Sequence, residues 1–302
     1  MTIRIVTDST CDLPEKVARE HGITVVPSYI HFKGKSYLDG IDISRKTFYE
    51  MLVEADELPT TSPPSTGDFI EVYKKVIADG ASEVVSIHIS HTLSTMVNVA
   101  SIAADDIQAA PVTVIDSGQL SMGLGLLALE AAKTANAGAT LDDITAILNV
   151  KGPRTHTFAK LNTLEYLRRG GRLNSIQHGL ISMLDIKPIL KMNNGISKME
   201  MVRTNRKGYE RLFNLAKNLG APSQVGVVHT NAPEQAAEFM QRIMECCTDG
   251  LVPLMAEVTP VIGTHVGPGV VGVVYMTKED TIGQEPGSPL AYLIQKVSSL
   301  RH

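Results

Sequence analysis

The chain has 302 residues, 43% hydrophobic and 20% charged, and a formal net charge of −4 from 28 Lys and Arg against 32 Asp and Glu. That length suits about two domains, the apolar share supports a buried core and excludes wholesale disorder, and the charge advertises no polyanion-binding face. The longest apolar stretch, from Met122, is cut by Glu130 and Lys133 short of the ~18 residues a membrane span needs.

Met1 to Val6 run straight into a β-branched segment without a signal-peptide pattern, so a cytoplasmic location is expected. Cys11, Cys246 and Cys247 make neither a disulfide framework nor a paired metal-ligand spacing. Residues 3–7, 25–32, 84–89 and 112–115 read as strands, mostly as continuous apolar runs typical of a sheet covered on both faces. Between them, Leu93, Met96, Val97, Ala100, Ala104 and Ile107 recur at helical spacing. Residues 67–78 form a second helical pattern, opened by the capping-box pair Ser65 and Asp68, and residues 121–137 a third. Alternating strands and helices predict a doubly wound parallel α/β unit.

Composition shifts at residues 149–154, which divides the chain into an N-terminal unit, 1–150, and a C-terminal unit, 151–302. In the second unit, residues 155–161, 224–229, 252–258 and 270–276 read as strands, and a short helix leads into Arg168-Arg169-Gly170-Gly171-Arg172. Helices are expected around Tyr209–Leu219 and Ala236–Cys247, with Cys247 on the apolar face, and a closing helix over 289–300. The expectation is an α/β fold of two domains, the second built on a mixed sheet.

Gly267-Pro268-Gly269-Val270-Val271-Gly272 matches G-x-G-x-x-G, yet it runs into a strand where a dinucleotide fingerprint opens a helix. Gly123-Leu124-Gly125 lies inside a helical pattern, where glycines serve close packing. No G-x-S-x-G, H-E-x-x-H or C-x-x-C occurs. What stands out is a series of hydroxyl-rich turns: Thr7 to Thr10, Thr60 to Ser65, Ser90 to Ser94 and Ile115 to Ser117. Ser, Thr and Asp are ordinary caps and turn formers. Several such turns on one edge of a parallel sheet also suit an oxygen-rich anionic group. His265 reads either as a buried histidine in a Gly-Pro-Gly turn or as a ligand.

Thr7-Asp8-Ser9-Thr10-Cys11-Asp12-Leu13-Pro14 resembles the opening signature of the DegV family. The resemblance continues through Thr61-Ser62-Pro63-Pro64-Ser65, Ile89 to Ser94, Ile115-Asp116-Ser117 and Leu164 to Arg172. Lys187-Pro188-Ile189-Leu190, Val202-Arg203-Thr204 and Gly263-Thr264-His265-Val266-Gly267-Pro268-Gly269 complete it. It implies a binding protein, not a stand-alone enzyme. Such a protein holds a long-chain fatty acid of the palmitate, stearate or oleate class between two domains. It presents the carboxylate to a separate fatty acid kinase subunit that makes an acyl phosphate. Carried over by motif, Thr61, Ser94 and His265 hold the carboxylate, while Arg169, Arg172 and Arg203 flank the head group or meet the kinase. No metal, cofactor of its own or nucleic-acid partner is implied. Thr95 stands where the family usually has Gly, which adds a side chain beside the expected carboxylate, and Pro63 replaces the usual glutamine.

Such a grip is chemically coherent. Neutral hydroxyls and an imidazole hold a carboxylate without a costly buried ion pair. The tail, at ~0.8 kcal/mol per buried methylene, offers on the order of 10 kcal/mol gross. The alternative reading is a small-molecule hydrolase or phosphate-ester enzyme using the same strand-end hydroxyls and His265.

Overall fold

The computed structural model describes residues 2–176, 186–247 and 250–278. The helix expected over 289–300 lies outside them. The first half alternates β1 (Ile3–Asp8), α1 (Glu15–Glu20) and β2 (Ile23–Val26) before a small insertion of β3 (Tyr29–Phe32), β4 (Lys35–Leu38), α2 (Arg45–Val53) and β5 (Thr60–Ser62). It resumes with α3 (Thr66–Ala78), β6 (Glu83–His88), α4 (Met96–Asp105), β7 (Val112–Asp116) and α5 (Met122–Asn136). Strands β2-β1-β6-β7 form a four-stranded sheet, parallel at every pairing. Its central strands are buried almost throughout, as continuous apolar runs require. Helix α3 starts at the expected capping box, with Ser65 Oγ accepting from Asp68 N at 3.1 Å and Asp68 accepting from Ser65 N at 2.7 Å.

Two readings from sequence need correction here. Residues 25–32 are not one strand. The chain breaks at Pro27-Ser28, so that β2 joins the parallel sheet while β3 pairs antiparallel with β4 and β5 in a separate three-stranded sheet. Proline lacks the N–H that would continue a ladder. Helix α4 begins at Met96, leaving Leu93 in the turn before it, because Leu93 N bonds Ser90 O (3.0 Å) and Ser94 Oγ accepts from Met96 N (3.2 Å).

The second half continues with α6 (Leu141–Arg154), β8 (Thr155–Lys160), α7 (Glu165–Arg169), β9 (Lys187–Asn193) and β10 (Ile196–Val202). It ends, among the described residues, with α8 (Asn205–Lys217), β11 (Pro222–His229), α9 (Pro233–Met244), β12 (Leu254–Glu257), α10 (Pro260–Val266) and β13 (Val271–Thr277). Residues 149–154 are the last turns of α6, which hands directly to β8. The six-stranded mixed sheet runs β10-β9-β8-β13-β11-β12, with only the β11–β12 pair parallel. Cys247 falls just past α9, half-buried against the Phe213–Phe239 core.

Helix α5 joins the halves. It buries all but Lys133, Ala135 and Asn136, and a single core includes Val6 and Ile87 on one side and Met192, Val228 and Val274 on the other. An all-round apolar helix belongs between two layers. A Cβ on Gly123 would sit 2.6 Å from Thr157 Oγ1, and one on Gly125 2.8 Å from Leu13 Cγ, so these glycines serve close packing.

Candidate functional site

The C-terminal edge of the parallel sheet gathers the turns after β1, β2 and β6. Asp8 organises them. Wholly buried, its carboxylate accepts from Thr10 N (3.0 Å), Ile89 N (3.1 Å) and the Thr10 hydroxyl, and meets His88 Nδ1 at 3.0 Å. His88 Nε2 lies 2.7 Å from Ser86 Oγ, which in turn accepts from Tyr73 OH at 2.9 Å. The serine, histidine and aspartate of this chain have no solvent exposure, so they brace the edge and offer no reachable nucleophile.

Opposite this edge stands α10, tethered at its start. Thr259 N donates to Asp12 Oδ1 (2.7 Å), Tyr49 OH to Val258 O (3.0 Å), and Arg45 to Glu257 O. His265 therefore sits in the last turn of a helix, not in the Gly-Pro-Gly turn expected; Gly267, at φ 75°, ends that helix. A Cβ at Gly267 would strike the Tyr166 ring. The G-x-G run thus serves packing and helix termination.

Between the two lies a cavity of about 750 Å³ of atom-free space, a figure that includes the open solvent at its mouth. Ile89, Met96, Leu120, Ile176, Leu190 and Ile262 give it an apolar wall, and no Asp or Glu lines it among the described residues. Thr61, Ser94, His265 and Arg172, which derive from β5, the turn before α4, α10 and the turn after α7, all line it. Thr61 Oγ1 and His265 Nε2 are 2.8 Å apart. His265 Nδ1 is buried without a partner, and a Cβ on Gly170 would lie 2.5 Å from it. The neutral tautomer with its proton on Nε2 suits this setting, because it leaves only an unfilled acceptor buried. Thr61 then accepts from His265 and keeps its own hydroxyl proton free to donate into the cavity. Burial, and then the nearby positive charge of Arg172, push the His265 pKa down to about 4.

The structure does not bring every expected residue to the cavity. Arg169 is exposed on α7, 3.8 Å from Glu165, and Arg203 is exposed just beyond β10; neither lines the cavity. Thr95 is exposed and also absent from the wall, so the side chain in place of Gly points no bulk into it. Sequence reasoning missed Ser28 and the apolar wall. Those residues are scattered over many elements and carry no local pattern.

Parallel and mixed sheets are joined by one buried helix, and among the described residues the polar groups of the apolar cavity are hydroxyls, an imidazole and one guanidinium; this is an α/β protein with an acid-free, largely apolar cavity. The chain belongs to the DegV family: the family model described as "Uncharacterised protein, DegV family" matches residues 2–278. The DegV domain-containing protein SCO2569 of Streptomyces coelicolor is 37% identical over 280 residues, covering 91% of this chain and 99% of that one. Among solved structures, DegV of Bacillus subtilis, described as a fatty acid binding protein, superposes with a TM-score of 0.84 at 30% identity, covering 92% of this chain and all of its own. A stearic acid-binding protein of Eubacterium ventriosum gives a TM-score of 0.81 at 26% identity, over 91% of this chain and 98% of its own. No helix among the described residues is long and apolar enough to cross a membrane.

Proposed function

We propose that this protein is a carrier that binds one long-chain fatty acid between its N-terminal and C-terminal units and presents the carboxylate to a separate kinase, which forms the acyl phosphate. The observation that carries this reading is the polarity of the cavity: an apolar wall, no acid among the described residues, and Thr61, Ser94, His265 and Arg172 together. Family relatives described as fatty-acid-binding support it. In this reading Thr61 and Ser94 donate to the carboxylate, His265 orients Thr61, and Arg172 supplies positive potential. Arg169 and Arg203, both exposed, are available to a partner surface. The kinase supplies nucleotide and metal, so the carrier needs only to hold the acyl oxygen in place. His265 suits holding better than base catalysis: its Nδ1 faces no orienting carboxylate, and its low pKa makes it a weak base.

Native mass spectrometry of freshly purified protein, followed by lipid extraction, tests the reading. A near-stoichiometric long-chain acid should survive desalting, because exchange exposes its tail to water. The loaded protein with its cognate kinase and ATP should yield acyl phosphate. Lipid-free protein that also takes up no added palmitate or oleate would refute the carrier reading.

Head-group variants supply a second check. Thr61→Val, Ser94→Ala and His265→Ala should each weaken acid binding by roughly 1–3 kcal/mol, the range for a lost bond to a charged group. Titration of delipidated protein with palmitate reads this directly. Wild-type affinity in all three would remove these residues from the head-group site.

A further inference from the structure

Six hydroxyl side chains among the described residues line the cavity, and five have a partner. Thr10 is bonded to Asp8, Thr61 to His265, Ser62 to His31 (2.9 Å), Ser94 to Met96 N (3.2 Å) and Ser197 to Met192 Sδ (2.8 Å). Ser28 is the sixth. Its residue is 1% exposed and its Oγ has no hydrogen-bond partner. Its backbone is already committed, with the N–H donating to Ser9 Oγ (3.2 Å) and the carbonyl accepting from Asp39 N (2.9 Å). Only the hydroxyl is left without a partner, buried on a residue that lines the cavity.

The strand register locates that hydroxyl. Ile30 of β3 lies opposite Thr61 of β5, and Ser28 precedes Ile30 by two residues. Ser28 sits in the break just before β3, its carbonyl accepting from Asp39 N, and two residues along an extended chain span about 7 Å. With a carboxylate against Thr61, an acyl chain that runs back along β3 would pass Ser28 within its first few carbons. Ser28 N bonds Ser9, the residue before Thr10, and the Thr10 hydroxyl, which also lines the cavity, donates to Asp8 and retains a free acceptor site.

A plain methylene chain leaves the Ser28 hydroxyl dry and unpaired, which is unfavourable for a buried polar group. A hydroxyl on the chain answers both neighbours, accepting from Ser28 and donating to Thr10. Resting on the carrier reading, we infer that the preferred ligand is a fatty acid hydroxylated close to its carboxylate, of the 3-hydroxy class, and that Ser28 sets this preference. Ser28 touches the acyl chain, not the carboxylate, so its effect is separable from that of the head-group residues.

Calorimetric titration of delipidated protein with myristate and 3-hydroxymyristate tests this. Wild type should bind the 3-hydroxy acid about 10-fold more tightly, the equivalent of one well-made hydrogen bond. Ser28→Ala should bring the two acids to equal affinity. Stearate and 12-hydroxystearate serve as the positional control and should show no preference that depends on Ser28. Equal affinities in wild type, a preference that survives Ser28→Ala, or a Ser28-dependent preference for the 12-hydroxy acid would each overturn the inference while leaving the carrier reading intact. If myristate, its 3-hydroxy form and stearate all fail to bind, the carrier reading falls and takes this inference with it.

Discussion

Asp8→Ala is expected to cost about 3–5 kcal/mol of folding stability, the range found when one partner of a buried charged network is removed. The carboxylate ends β1, takes two backbone N–H groups from two different turns, and anchors the Tyr73–Ser86–His88 chain. Without it, the N–H groups of Thr10 and Ile89 and one nitrogen of His88 are left in a dry interior. Urea unfolding of the two proteins measures the loss as a lower midpoint at unchanged slope. Tyr73→Phe removes only the far end of the chain and should cost about 1 kcal/mol. A loss below 1 kcal/mol in Asp8→Ala would mean that water replaces the carboxylate, and the edge would not depend on this network. Thr10 and Ile89 both line the cavity, so a surviving Asp8→Ala protein should also bind acid less tightly.

The parallel sheet was legible because its signal is local. Segments 3–7, 84–89 and 112–115 are rich in Val and Ile, and the capping pair Ser65 and Asp68 marks the start of α3. The small sheet was not legible. Strand β5 has three residues, and β4 reads Lys-Ser-Tyr-Leu with its first two residues exposed, so neither has an apolar period to find. They exist because Ile30, Phe32, Phe48, Tyr49 and Val261 share a core of their own, a long-range fact. The hairpin of β9 and β10 also went unread: Leu190 and Met192 are buried and Met199 and Met201 pack on the same core, but Lys191 and Glu200, ion-paired across the strands, interrupt the apolar pattern in sequence.

The site divides along the same line. Thr61, Ser94 and His265 came from ordered motifs, and the fold places all three on one cavity. Arg168 to Arg172 also behave as a helix end, with Arg168 on Glu165 at 2.9 Å and Gly171 at φ 72°, yet Arg172 alone of the block lines the cavity. Helix geometry separates them: Arg168 and Arg169 belong to α7 itself, whereas Arg172 follows the left-handed turn that redirects the chain inward. Residue type and spacing cannot distinguish the three. The position of Ser28 becomes meaningful only when its backbone partners are counted.

Acidification of the delipidated protein should expose His265 through its effect on stability. In the folded state its pKa lies near 4, against an ordinary value of 6.5, because burial and then Arg172 disfavour the imidazolium. Between those values the unfolded chain binds the proton and the folded one does not, so this group destabilises the fold as pH falls from 6.5 towards 4. At about 1.4 kcal/mol per pH unit, the loss approaches 3 kcal/mol. Asp39 and Asp12 act in the opposite direction. Burial raises their carboxyls to about 7 and about 6, so the folded state keeps protons that the unfolded chain releases down to 3.8, and both groups add stability as the pH falls. Wild-type stability alone therefore hides the histidine. The difference between wild type and His265→Asn isolates it: the variant should gain up to about 3 kcal/mol relative to wild type between pH 7.5 and pH 4, with the gain confined below 6.5. Urea midpoints at several pH values measure it. Parallel stability curves for the two proteins would show that the imidazole is solvated in the folded state. A bound carboxylate beside the ring favours the imidazolium and lifts its pKa. Protein loaded with palmitate should accordingly show a smaller difference between wild type and variant, which ties the titration of His265 to occupancy of the cavity.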